Sequence, residues 1–143
     1  ASYMIQQGFY ITKEIPDRWW FMVYYNISTG EELEKGYGAL LAAGAGQERA
    51  KNAREVLSRP NSGYIFTSTA DKSTVICISH ADSYDELFDS ITHEIDHATA
   101  HICEYYNIPC NSEKSAYIQG EIGKNMYKAV ALSICPKCNC GKH

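Results

Sequence analysis

Apolar positions change period along the chain, and the changes mark its elements. Residues 2–13 (SYMIQQGFYITK) are β-prone, and Pro16-Asp17 within residues 13–18 reads as a turn. Residues 19–27 (WWFMVYYNI) are rich enough in aromatic and β-branched side chains to predict a strand. The two segments together predict a hairpin. Residues 31–46 carry a weak helical pattern, loosened by Gly36, Gly38, Gly44 and Gly46. Residues 47–57 predict a short amphipathic helix, closed by Arg59-Pro60-Asn61-Ser62-Gly63. Residues 64–67 and 74–79 predict a second hairpin that turns across Ala70-Asp71-Lys72.

Two long helices complete the pattern. The first is predicted over residues 83–106. Ser83-Tyr84-Asp85-Glu86 forms a capping box at its start, and Asn107-Ile108-Pro109 stops it. The second is predicted over residues 112–133, followed by a Cys-rich tail at 134–143. The expected fold is α+β, with one domain over residues 1–133. In it a small, mostly antiparallel β-sheet packs against these two helices.

Composition narrows the function classes. With 45% apolar and 21% charged residues, the 143-residue chain has the balance of a folded globule and not of a disordered one. No apolar run approaches ~18 residues, so no membrane-spanning helix is expected. The net charge of −4 gives no bulk attraction to nucleic acid or to an anionic membrane, and neither is expected as a partner. Three of the six cysteines, Cys135, Cys138 and Cys140, crowd into the tail, while Cys77, Cys103 and Cys110 fall in a predicted strand, helix and loop respectively. A disulfide scaffold spreads its cysteines through a loop-rich chain, so a reducing, cytoplasmic compartment is predicted. The opening Ala1-Ser2-Tyr3-Met4 is also compatible with a removed leader.

The chemistry sits in the first long helix, at His93-Glu94-Ile95-Asp96-His97. At ~100° per residue, His97 lies ~40° round and one turn along from His93. Two imidazoles so spaced can grip one Zn²⁺, and Glu94, at the edge of that face, can act as a base without being a ligand. With His93 set at 0°, Tyr84, Leu87, Phe88, Ile91, Ile95, Ala98, Ile102, Tyr105 and Tyr106 fall at about 120–220°. That is a continuous apolar stripe facing a core. Ser90, His93, His97 and His101 fall at about 0–80°, on a polar face. A solvated helix face would also be polar, so the pattern by itself does not choose between a site and a wet surface.

A catalytic zinc takes three protein ligands and keeps one open position. His101 is a weak candidate, because it stands about 12 Å along the axis from His93 on a straight helix. Glu113 and Glu121 are the carboxylates on the next helix. Ala116, Gly120, Gly123, Tyr127 and Val130 form a stripe with several small residues, expected to pack on the zinc helix. Glu113 borders that stripe and Glu121 points away from it. Glu113 would also be favoured in the first turn by the helix dipole.

His93-Glu94-x-x-His97 followed by Glu113-x-x-x-Tyr117 resembles the short form of the gluzincin pattern. It is similar to small zinc peptidases of the ImmA/IrrE type and to small predicted peptidases of phages and mobile elements, over about residues 74–128. The resemblance implies a zincin-like fold, with residues 74–79 as the strand before the zinc helix. It implies His93, His97 and Glu113 as ligands of one catalytic zinc and Glu94 as base. The expected function is a zinc-dependent peptidase acting on protein or peptide, in which zinc lowers the pKa of its water toward ~7 and Glu94 takes the proton. Tyr117, His101 and Tyr127 are candidate oxyanion donors, and Asp89 and Asp96 are candidates to orient the histidines. The second reading is a non-catalytic binding or regulatory module on a peptidase-like scaffold, with a structural metal or none. In the tail, Cys135, Cys138, Cys140 and His143 are candidate ligands of a second, structural zinc, with Cys110 or Cys103 as additional donors. Cys77 and Cys103 are otherwise expected as buried core thiols.

Overall fold

The computed structural model describes residues 3–138, with side chains described through residue 131. The first hairpin forms as expected: β1 (Ile5–Ile11) pairs antiparallel with β2 (Trp19–Ile27), bringing Phe9 opposite Phe21. Those two rings stack at 5.0 Å between centroids, the kind of cross-strand pair that fixes register. Two helices follow, α1 (Gly30–Ala42) and α2 (Gln47–Leu57). The glycine-rich stretch therefore holds a firmer helix than its pattern suggested. Thr29 and Glu32 close a reciprocal capping box at its start. Gly36 sits buried inside it against Ile27 and Cys77, while Gly44 and Gly46 take positive φ (97° and 87°) and make the turn into α2.

The second hairpin is β3 (Gly63–Ser68) against β4 (Ser73–Ser79), antiparallel, with Thr67 opposite Thr74. The hairpins join through β2 and β4, which run parallel. The result is a four-stranded mixed sheet in the order β1-β2-β4-β3, so β1 and β3 are its edges. The fold is α+β, as the sequence indicates, with antiparallel pairing in two of the three strand pairs.

Alternation along the strands fills both faces of this sheet. Trp19, Phe21, Val23 and Tyr25 of β2, with Ile76 and Ile78 of β4, face α3 (Tyr84–Tyr106) and α4 (Glu113–Cys138). Tyr24, Val75 and Cys77 face α1 and α2. Asn26 adopts φ 63° where the β2–β4 register shifts, and Ile27 joins the α1 side out of simple alternation.

Helix α3 is capped by Ser83, whose hydroxyl accepts from the Glu86 N–H, and ends on Asn107 in the left-handed region. Its core stripe is narrower than the periodicity gave. Ile91, Ile95, Ala98 and Ile102 are buried, but Tyr84, Phe88 and Tyr105 are exposed. Helix α4 buries Ser115, Ile118, Ile122, Met126, Ala129 and Val130. Of the expected small-residue stripe, Gly123 meets Ile95, whereas Ala116 and Gly120 are exposed. The larger isoleucines and Met126 make that contact because burying them removes more apolar area from water. The helix also runs past residue 133, its expected end, to Cys138.

Candidate metal centre

Helix α3 touches β3 along one side and α4 along the other. Its outward side carries the histidines. His93 and His97 are exposed, and their Nε2 atoms lie 3.1 Å apart in a hydrogen bond whose donor depends on the tautomer. Two donors held tetrahedrally at 2.0–2.1 Å from one zinc ion stand about 3.3 Å apart. The imidazoles therefore already span one edge of such a cage. They converge because their rings meet edge-on, 4.7 Å between centroids.

Glu94 lies against the start of β3 and within electrostatic reach of both histidines. It is only 4% exposed, and its Oε1 is a buried carboxylate oxygen with no hydrogen-bond partner. Burial pushes its carboxyl above the ordinary carboxylate range, while His93 and His97 pull it back down. The carboxylate fits because residue 63 is glycine. A Cβ there would stand 2.5 Å from Glu94 Oε2 and 3.1 Å from its Cγ. Gly63 opens β3, so the edge strand begins directly over the carboxylate.

His101 lies half-buried one turn beyond His97, the two rings 6.3 Å apart and inclined by 25°. Its Nδ1 is 2.8 Å from Thr67 Oγ1 on β3. Thr67 Oγ1 is 3.0 Å from Thr74 Oγ1 on β4, and Trp19 Nε1 donates to Thr74 Oγ1 at 2.9 Å. A polar thread thus runs from β2 through β4 and β3 to α3. Burial pushes the His101 pKa down, and neighbouring His97 lowers it further.

Glu113 is exposed at the first residue of α4 and is not brought to the imidazole pair. The helix pairing explains why. Thr92 Oγ1 reaches Tyr127 Oη at 3.4 Å, and Gly123 lies opposite Ile95, so the helices run antiparallel. Continuing that register sets Glu113 level with residues near 105, about 12 Å beyond His97 along the axis. Glu121 does point away, accepting from the backbone N–H groups of Thr12 and Lys13. Among the described residues no group of three His, Cys, Asp or Glu side chains gathers around one point. Two imidazoles with a neighbouring buried carboxylate fit the donor preferences of zinc, and among the described residues no third protein donor joins them. Of the oxyanion candidates, Tyr127 packs on Phe88 at 5.5 Å on the α4 side, and Tyr117 is exposed. Asp89 and Asp96 are exposed.

Among the described residues Cys77 and Cys103 are buried free thiols and Cys110 is an exposed one. Burial pushes the Cys77 thiol up to about 12. The candidate second zinc site at Cys135, Cys138, Cys140 and His143 lies outside the residues whose side chains are described. No helix among the described residues is long and apolar enough to cross a membrane.

Gly63, Thr67, Thr74 and Trp19 are the site residues that the motif did not announce. Gly63 reads as a turn residue in sequence. The Thr67–Thr74 pairing was accessible only as a consequence of hairpin register. Comparison with protein-family models, with curated proteins and with solved structures found no match for this chain.

Proposed function

We propose that this protein is a zinc-dependent hydrolase of peptide bonds, on a zincin-like arrangement, with His93 and His97 holding the ion and Glu94 as general base. The convergence of the two Nε2 atoms to 3.1 Å carries the reading. A bound zinc ion supplies Lewis acidity for the scissile carbonyl and acidifies water at neutral pH. Everything else falls to the chain. Glu94 Oε1 has no internal partner, and burial raises its affinity for a proton, so it is suited to accept one from water and return it to the departing amine. The free edge of β3 starts at Gly63, beside Glu94, and passes Thr67, beside His101. An extended peptide adding to that edge by main-chain hydrogen bonds would lie along the histidine face. Glu113, the third ligand implied by the gluzincin resemblance, would have to travel about two helical turns to join, so the imidazole pair bears the proposal.

The test is elemental analysis beside proteolysis of an unfolded casein substrate. The expected result is about one zinc per chain, lost in His93→Ala and in His97→Ala. Glu94→Gln should keep the metal and lose about 10²–10⁴-fold in kcat/KM. Zinc retained with hydrolysis absent from the parent chain would leave the non-catalytic binding module. A chain that takes up no zinc would end the hydrolase reading.

A further inference from the structure

The hydrogen-bond thread behind His101 starts from a group that can only donate. Trp19 Nε1–H is a donor and nothing else, so Thr74 Oγ1 accepts from it. Thr74 is 0% exposed and its hydroxyl has a single proton to place. Its other partner is Thr67 Oγ1, so Thr74 donates to Thr67. Thr67 then has its own proton to place, and among the described residues its one remaining hydrogen-bond partner is His101 Nδ1, which accepts that proton by offering a lone pair. Running the thread backwards would make Thr74 accept twice and leave its buried hydroxyl proton with no acceptor. With Nδ1 accepting, the neutral ring carries its proton on Nε2. That atom has no partner among the described side chains and is not among the buried unpartnered ones, so it meets solvent.

We infer that His101 is a substrate-binding N–H donor and not a third metal ligand: the Trp19–Thr74–Thr67 thread fixes its Nε2–H tautomer, which hydrogen-bonds a carbonyl oxygen of an extended peptide lying along β3. The inference rests on the peptidase reading for the identity of the acceptor. It stands on hydrogen-bond geometry alone for the tautomer. A ligating nitrogen needs a free lone pair, and the thread removes it from Nε2. The same thread locks the ring, so the donor is oriented before substrate arrives.

Long-range ¹H–¹⁵N correlation spectra of the full chain, with and without added zinc, read the tautomer directly. His101 is expected to show Nε2–H in both conditions, and Thr67→Val is expected to release it to a mixture. His101→Ala should bind zinc within about twofold of the parent and lose about 10²-fold in kcat/KM on a casein-derived peptide, with His101→Asn, which keeps an N–H donor, losing less. An Nδ1–H tautomer, a zinc-induced loss of the Nε2 proton, or loss of zinc on removing His101 would overturn the assignment. Unchanged hydrolysis in His101→Ala would overturn the substrate contact. If the parent chain hydrolyses nothing, the peptidase reading fails and the substrate contact with it, while an Nε2–H tautomer would still exclude His101 as a ligand.

Discussion

Glu94 and Gly63 act as a pair, and each implies an outcome. A methyl group at residue 63 would stand 2.5 Å from the carboxylate oxygen, closer than real Cβ contacts come, so the carboxylate must move. On the proposed function, Gly63→Ala is expected to leave zinc binding intact and lower kcat/KM by roughly 10–100-fold, because the proposed base would be displaced while the proposed ligands, His93 and His97, would not. Parallel zinc titration and casein hydrolysis would check both halves. The carboxylate also has a thermodynamic signature in the metal-free protein. Its folded-state pKa is raised by burial, so ionising it costs more in the folded chain than in the unfolded one. That cost is absent below the ordinary carboxylate pKa, where both states are protonated. It grows as pH climbs through the window up to the raised value and is complete above it. Glu94→Gln removes it. Metal-free Glu94→Gln is therefore expected to melt above the parent at pH 8, and the gap should close toward pH 4. A gap that widens on acidification would contradict the burial argument.

At the scale of elements, α3 is fixed at both ends by its own sequence. Ser83 caps its start, and Asn107 ends it at φ 57°, its N–H donating to the carbonyls of Cys103 and Glu104. A left-handed residue tolerates Gly and rejects β-branching, so Asn107→Gly should be neutral in urea unfolding and Asn107→Val should cost about 1–2 kcal/mol. Both caps, both hairpins and α2 were legible because each is written in a few neighbouring residues. The histidine face was legible for the same reason, since azimuth around a helix follows from residue spacing alone. The level of Glu113 was not. Helical period told which side of α4 it occupies, but its height beside α3 depends on the antiparallel return after Asn107 and on contacts such as Thr92 with Tyr127. The Gly63 contact and the Thr67 thread were hidden for a related reason. They depend on how β3 lies against α3, a tertiary fact that neither segment's pattern contains.

The whole molecule holds a four-stranded sheet with helices on both faces, and among the described residues only the outward α3 face brings two imidazole nitrogens together. The parallel joining of β2 to β4 builds this platform, and it was illegible because each hairpin reads as self-sufficient while their union pairs segments far apart in sequence. Trp19 and Phe21 of the first hairpin and Ile76 and Ile78 of the second are all buried in one core with Ile91 and Ile95 of α3. An ion bound on that helix is therefore coupled to the unfolding of everything. Zinc at 100 times its dissociation constant should stabilise the chain by about 2.7 kcal/mol, which is roughly 10 °C in Tm. Six cysteines work against this, because unfolded thiolates also bind zinc and lower the apparent gain. The comparison that matters is thus between variants carrying the same cysteines. His97→Ala should abolish the zinc-dependent rise in calorimetry, and His101→Ala should keep it. A rise that survives His97→Ala would mean the cation is held elsewhere in the chain, and the convergence of His93 and His97 would then be an N–H···N hydrogen bond between two surface imidazoles.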